Sequence, residues 1–546
     1  MYALVYVTAS IGTICGLINR TVWGKKTMRK ITVYRRYVFP GLCVLLSNIV
    51  FGQISFDNYS HVLPQRPFVG FLSKAVADLN GDGLDDIVRI RANTKELSVL
   101  YQLPDGSFRN SHIRTLNAEP IATLVGDINN DHRNDILTGG AFDGITVLKN
   151  NADTFTQDIV TDPAVWMQGA NLVDINNDGW LDVFACNDAG LNQIWKNNGA
   201  GRFSAVTNWI DMRTVPASDN SGNYGSVWAD IDNDGDLDLY LAKCSMYAMG
   251  PQNAGDPRRI NQLFLNHTYD RLHGQPVKNT TNFTLDPSNW FSEAAAGANV
   301  KISGQSWTAD FADIDNDGDQ DLLVTNHESP TMLLENDGTG HFTDITTQSG
   351  ISGVVEPLQG LMRDFDNDGY MDVLLAGDMA AQLWRNNGDK TFTLQAGALG
   401  NTPTTSFAVG DLNHDGFPDI YVSHYARADA EDELWINQPN GNHFVGVTLR
   451  GIQSNTNGVG AKILVYRTDG VQLVREVRAG ESYGITNSYT QLIGLGPSAG
   501  ILRIEVHWPS GQRSRIQQPA SDQFLVIGEP VGPPCRCLSL EAVQIR

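Results

Sequence analysis

The sequence predicts an all-β protein: a seven-bladed β-propeller followed by a small all-β C-terminal domain. Three observations point there. One acidic nine-residue loop recurs seven times. Each copy is followed by an apolar strand, a turn rich in Asn, Gly or Asp, and an aromatic residue. After Phe444 the acidic loops stop, while alternating strand patterns run on to about residue 529. Self-similarity at a regular period marks a repeat architecture.

The loops come first. They are DLNGDGLDD (78–86), DINNDHRND (127–135), DINNDGWLD (174–182), DIDNDGDLD (230–238), DIDNDGDQD (313–321), DFDNDGYMD (364–372) and DLNHDGFPD (411–419). Positions 1, 5 and 9 are always Asp and position 3 is Asp or Asn, while position 6 is Gly except at His132. Position 2 is always apolar and position 10 always aliphatic. Alternate residues of a tight loop aim their side-chain oxygens at one point. Gly permits the sharp turn, position 7 offers a carbonyl, and the last Asp closes the shell. Six to eight oxygens in a flexible shell suit calcium, a hard cation. An EF-hand would close with Glu at position 12 between helices, whereas here a strand-like run such as DLYLAK starts at once. A lone copy would pass for a solvated Asx turn. Seven copies in register do not, and carboxylates gathered without a cation repel one another.

The candidate ligands are therefore Asp78, Asn80, Asp82 and Asp86; Asp127, Asn129, Asp131 and Asp135; Asp174, Asn176, Asp178 and Asp182. The later copies add Asp230, Asp232, Asp234 and Asp238; Asp313, Asp315, Asp317 and Asp321; Asp364, Asp366, Asp368 and Asp372; and Asp411, Asn413, Asp415 and Asp419. They would hold up to seven structural calcium ions. Loops four, five and six carry four Asp each and should bind most tightly, because ligand charge tunes affinity. Loop two should be weakest, since His132 replaces the turn Gly and forces a left-handed backbone or another path. His132 and His414 are expected to face outward.

The second element is a hairpin: LYQLPDGSF (100–108), LKNNADTF (148–155), IWKNNGAGRF (194–203), LFLN (263–266) resuming at Phe283, LLENDGTGHF (333–342), LWRNNGDKTF (383–392) and LWINQPNGNHF (434–444). Strand, acidic loop, strand, strand, turn, strand makes four strands per repeat. Arranged radially, such units close on themselves and leave no long sheet edge.

The pattern resembles the FG-GAP/VCBS repeat family, seen also in integrin α-subunit propellers, over roughly residues 68–440. The segment beyond it carries SNTNGVGAKILVY (454–466), GLG (494–496) and VHWPSG (506–511), which resemble the ASPIC/UnbV domain of bacterial secreted proteins and of the cartilage acidic protein family. The resemblance implies extracellular calcium binding and interaction, and no agreed reaction. The domains expected are residues 53–444 for the propeller, 445–529 for the ASPIC/UnbV-like unit and 530–546 for a tail. Basic residues Lys462, Arg467, Arg475, Arg478, Arg503, Arg513 and Arg515 give the second domain its own charge balance. Solvated strand faces are the expectation, an interdomain contact the alternative.

Residues 1–50 hold seven Lys or Arg and no acid. From Met28 a basic segment leads into an apolar run and then small residues, which reads as a signal peptide over 28–52 cleaved after Gly52. The apolar run is short for a membrane anchor. Residues 1–27 read as a mis-assigned start or an extra segment. The mature chain would be secreted, extracellular or at the cell surface, or periplasmic, with no stable membrane span. The net charge of −22 argues against nucleic acid as partner. Cys15 and Cys43 precede the cleavage point, and Cys535 and Cys537 sit in the tail without a zinc pattern. Cys186 and Cys244 follow equivalent strands, as a disulfide or as two buried thiols.

Insertions at about 206–225, 243–261 and 267–299 cluster around the fourth repeat and offer Tyr247, Arg258 and Arg259 to a sugar or acidic ligand. No GxSxG, HExxH or phosphate-binding Gly loop is present. The leading functional reading is a non-enzymatic calcium-binding module for an extracellular glycan or protein, in binding or adhesion. The alternative is a polysaccharide-acting extracellular enzyme with its site among the fourth-repeat insertions.

Overall fold

The computed structural model describes residues 54–532 and 543–545, apart from 153, 271–274, 277–289, 352, 355, 378, 425–429 and 499. The segment 28–52 read as a signal peptide, residues 1–27, Cys15, Cys43, Cys535 and Cys537 lie outside the described residues. Seven four-stranded antiparallel blades follow one another along the chain. Their innermost strands are Lys74–Ala77, Pro120–Gly126, Met167–Val173, Asn223–Ala229, Ser306–Ala312, Gln359–Arg363 and Ser406–Gly410. These strands are buried almost throughout, whereas outermost strands such as Phe342–Asp344 bury only their first residue. That accounts for the recurring aromatic. Phe108, Phe155, Phe203, Phe291, Phe342 and Phe392 each start an outermost strand and stand opposite Gln102, Asn150, Asn197, Asn266, Asn336 and Asn386.

One hairpin departs from the sequence reading. Blade seven has no outer strand of its own after Glu433–Asn437; that edge is taken by the N-terminal strand Phe56–Asn58. Phe56 faces Asn437, so it supplies the seventh aromatic in the usual register. Phe444, read as the aromatic that opens blade seven's outer strand, lies instead in His443–Arg450 of the C-terminal unit. A ring closed by strands from both ends of the chain leaves no unpaired edge there. In the fourth repeat the aromatic is Phe291; Phe283 lies outside the described residues.

The C-terminal unit consists of two four-stranded sheets. Gln491–Gly496, His443–Arg450, Gln523–Gly528 and Val543–Ile545 form one; Gln472–Glu476, Lys462–Arg467, Ile501–His507 and Arg513–Gln517 form the other. Its apolar interior is continuous with that of blades one to three, joining Leu124, Leu172 and Leu181 to Tyr489, Val477 and Val459. Each acidic loop links the first and second strands of its blade, so all seven loops lie on one end of the propeller. The C-terminal unit sits on that end.

From it, residues 478–489 run down the central channel. Ile485–Thr486 pairs in parallel with the innermost strand Lys74–Ala77. Tyr483 donates to Gln168 Oε1, and its carbonyl accepts from Gln359 Nε2 at 2.9 Å. Tyr483 thus reaches the channel's far end, where its ring packs on Tyr224 and Trp307. Gly480 and Gly484 bracket this tip with φ +86° and +66°, and a side chain at either would strike the carbonyls of Ala170 or Ile121. Only glycine fits both the space and the backbone. Cys186 and Cys244 are buried free thiols. Among the described residues no helix is long and apolar enough to cross a membrane.

Candidate metal centre

Each acidic loop is wound by its own carboxylates. The Asp at position 1 accepts the N–H of position 6, over 2.7–3.1 Å, as in Gly179 to Asp174 and Gly318 to Asp313. The Asp at position 5 accepts the N–H of position 7, as in Leu84 to Asp82 and Tyr370 to Asp368 at 2.9 Å. The Asp at position 9 is buried and ties the loop to two strands. In loop five, Asp321 accepts from Ile314 N at 3.0 Å and from Asn336 N at 2.9 Å. The same pair of bonds recurs at Asp86, Asp135, Asp238, Asp372 and Asp419.

The backbone explains the sequence pattern. Position 6 has positive φ in all seven loops, including His132 at +67°. Position 4 does too, which the sequence reading left unexplained: it is Gly81, Asn130, Asn177, Asn233, Asn316, Asn367 and His414, with φ from +53° to +79°. Gly, Asn and His are among the residues that tolerate this region best. Two left-handed residues per loop coil positions 1, 3 and 5 around a common centre.

The loops then divide by position 3. Where it is Asn, the amide bonds to the position-5 carboxylate, as in Asn80 to Asp82 at 2.9 Å and Asn413 to Asp415 at 2.8 Å. Where it is Asp, three carboxylates converge. Among the described residues the sets Asp230, Asp232 and Asp234; Asp313, Asp315 and Asp321; and Asp364, Asp366 and Asp372 each bring ligand oxygens within 4.8 Å of one another. Asp230 Oδ1 and Asp313 Oδ1 are buried and make no hydrogen bond. Burial pushes Asp313 and Asp174 up to about 7 and Asp86 and Asp411 up to about 8, with neighbouring carboxylates adding to the rise. Oxygen-only donors, orphaned buried carboxylates and mutual repulsion fit a hard divalent cation such as calcium. A basic side chain also reaches each of these three loops. Lys462 Nζ lies 2.7 Å from Asp230, Lys390 Nζ 2.5 Å from Asp315, and Arg385 spans Asp366 and Asp368 at 2.5 and 2.7 Å.

A model of the FG-GAP-like repeat matches residues 78–138, 127–185, 174–241 and 364–422, and the ASPIC and UnbV model matches 451–534. The chain carries FG-GAP-like repeats and a C-terminal ASPIC and UnbV domain. It is 24% identical to Cartilage acidic protein 1 of Xenopus tropicalis over 314 residues, which are 55% of this chain and 39% of that protein. The chain thus spans about 39% of the length of that relative. Among solved structures it is similar to an Agrocybe aegerita lectin recognising non-reducing terminal N-acetylglucosamine (18% identity, TM-score 0.41, 66% of this chain and 87% of that one). It is similar also to the WD40 β-propeller domain of Doa1 (11% identity, TM-score 0.37, 71% and 96%).

The ASPIC and UnbV domain touches every acidic loop. Ser488 donates to Asp85 in loop one, Asn457 accepts from Asp127 N in loop two, and Asn177 of loop three donates to the Pro509 carbonyl. Lys462 reaches loop four, Arg478 donates to Gln320 in loop five, and Gly496 N donates to the Asn367 carbonyl in loop six. In loop seven His414 stacks on Phe524 with ring centroids 4.0 Å apart and stays exposed, so it meets the second domain with one ring face. His132 is exposed as expected. Lys462, Arg475 and Arg478 thereby correct the expectation of solvated strand faces. Arg478 meets Asp310, Phe311 and Gln320 of the propeller, and Arg475 lies 3.9 Å from Asp364.

The fourth-repeat insertions lie partly on the opposite end. In Cys244–Asn261 the two arginines offered to a ligand are already engaged. Arg258 is held by Asp256 and Asp219, and buried Arg259 by Glu328 and the carbonyls of Ala248, Gly250 and Ser303. Tyr247 remains, 76% exposed.

Proposed function

We propose that the mature protein, freed of residues 1–52, is a secreted, cell-surface or periplasmic calcium-binding propeller that serves as a binding or adhesion module for an extracellular glycan or protein. The observation that carries this reading is the convergence of three carboxylates in each of loops four, five and six, with a buried oxygen that makes no hydrogen bond at Asp230 and at Asp313. When bound, calcium would neutralise the clustered carboxylates at position 1, 3, 5 and 9 of each loop. The ion is read as structural, because the C-terminal domain contacts every loop. The extracellular setting is supported by the basic and apolar leader and by the similarity to Cartilage acidic protein 1. Recognition is assigned to the end that the C-terminal domain leaves free, where Tyr247 projects.

Because the unfolded chain cannot hold the ions, binding adds to stability by mass action. Excess EGTA should lower the melting temperature markedly, and added calcium should restore it. An unchanged melt would remove the structural role of the metal.

A further inference from the structure

The free end of the propeller presents an aromatic pair that the fold itself does not require. Phe142 and Trp166 come from successive connections in blades two and three, are 53% and 41% exposed, and pack edge to face with ring centroids 5.6 Å apart. The backbone holds them there at a cost. Phe142 has φ +62°, a left-handed conformation unusual for a bulky side chain, fixed by Phe142 N donating to the Val165 carbonyl at 2.8 Å. The next residue, Asp143, has a buried Oδ1 that makes no hydrogen bond; Lys95 is the basic group facing this carboxylate. On the other side of Trp166, its carbonyl accepts from Asp188 N, and the Asp188 carboxylate accepts from Gln168 Nε2. Backbone strain and an exposed ring pair meet at one place, beside the half-buried carboxylate of Asp143, a combination that marks binding sites.

We infer that Phe142, Trp166 and Asp143 form a binding site for a neutral sugar ring of an extracellular glycan. The inference rests on the reading of the protein as a binding module. A pyranose has an apolar C–H face that packs on an aromatic ring and a rim of hydroxyl donors, which a carboxylate accepts. The pair is too small to seed a stable protein interface, which buries about 800 Å2 on each partner. The chain's net charge of −22 repels acidic glycans, leaving neutral ones.

The test measures retention of the full secreted chain, in calcium, on neutral hexasaccharides of the gluco-, manno-, galacto- and N-acetylhexosamine series. Phe142→Gly and Trp166→Ala should weaken retention more than tenfold, and Asp143→Asn should weaken it measurably. Phe142→Gly should melt no lower than the parent, because glycine accepts the φ that phenylalanine resists. That separates lost binding from lost folding. Retention of none of the series by the parent, or equal retention by the variants, overturns the site. Retention lost in Tyr247→Ala but kept in Trp166→Ala moves recognition to the fourth repeat. That result sinks this site while sparing the binding-module reading.

Discussion

His132 shows how much one residue of a repeat can carry. It occupies the left-handed position that glycine fills in the other six loops. His132→Gly should therefore raise stability by about 1 kcal/mol and tighten calcium binding at loop two. Paired melts in calcium and in EGTA would read both effects, and an unchanged or lower melt would contradict the assignment of strain. His507 makes a different test. Burial, with Arg513 adding to it, lowers its pKa to about 4. Between pH 4 and the ordinary value near 6.5, the unfolded chain binds the proton and the folded one does not. Stability contributed by this group thus rises with pH through that window and is lost on acidification. His507→Gln should show a smaller fall in melting temperature from pH 6.5 to 4.5 than the parent; equal falls would exclude the histidine as a source.

At the scale of the element, the third strand of six blades ends in Asn, and in five of them its side chain fastens one blade to the one before. Asn386 Nδ2 donates to the Ile314 carbonyl of loop five at 2.8 Å and to the Met371 carbonyl of its own loop at 3.1 Å. Asn150, Asn197, Asn336 and Asn437 repeat the arrangement. Asn386→Ala strands two buried carbonyls and should cost about 1–3 kcal/mol. Thermal denaturation in EGTA would isolate this from any effect on metal, and a loss confined to calcium would show that the staple is not structural. The Asn was visible in LWRNN and LKNN, but its partner was not, because a donor's reach into the next blade is a tertiary fact. The ligand spacing was legible for the opposite reason: it is set within nine residues. The left-handed position 4 could have been read from its Gly, Asn and His usage.

For the whole molecule, the two domains read separately from sequence are one body. The loops that suggested a metal scheme are also the seat of the C-terminal domain, and that domain fills the channel. Strand alternation found the sheets of the second domain, yet nothing local to Arg478–Tyr489 says that it enters a ring. The spacing of Gly480 and Gly484 is the trace it leaves. Gly484→Ala should press a methyl group against blade two and force the backbone, costing about 2 kcal/mol or more. The melt should fall, and amides of the innermost strands should exchange faster with deuterium. Unaltered exchange would mean that the hairpin does not brace the ring.

The strand Phe56–Asn58 has a consequence for how the chain folds. Six blades are built from neighbouring hairpins and can form as soon as their own sequence is available. The seventh waits for two segments separated by nearly the entire propeller, Phe56 and Asn437. Closing so long a loop is entropically costly compared with a hairpin, so it belongs late in folding. Until then Glu433–Asn437 presents an unpaired edge, open to a strand from a second molecule. The same geometry that finishes the ring is a point at which concentrated, half-folded chains would exchange their first strands.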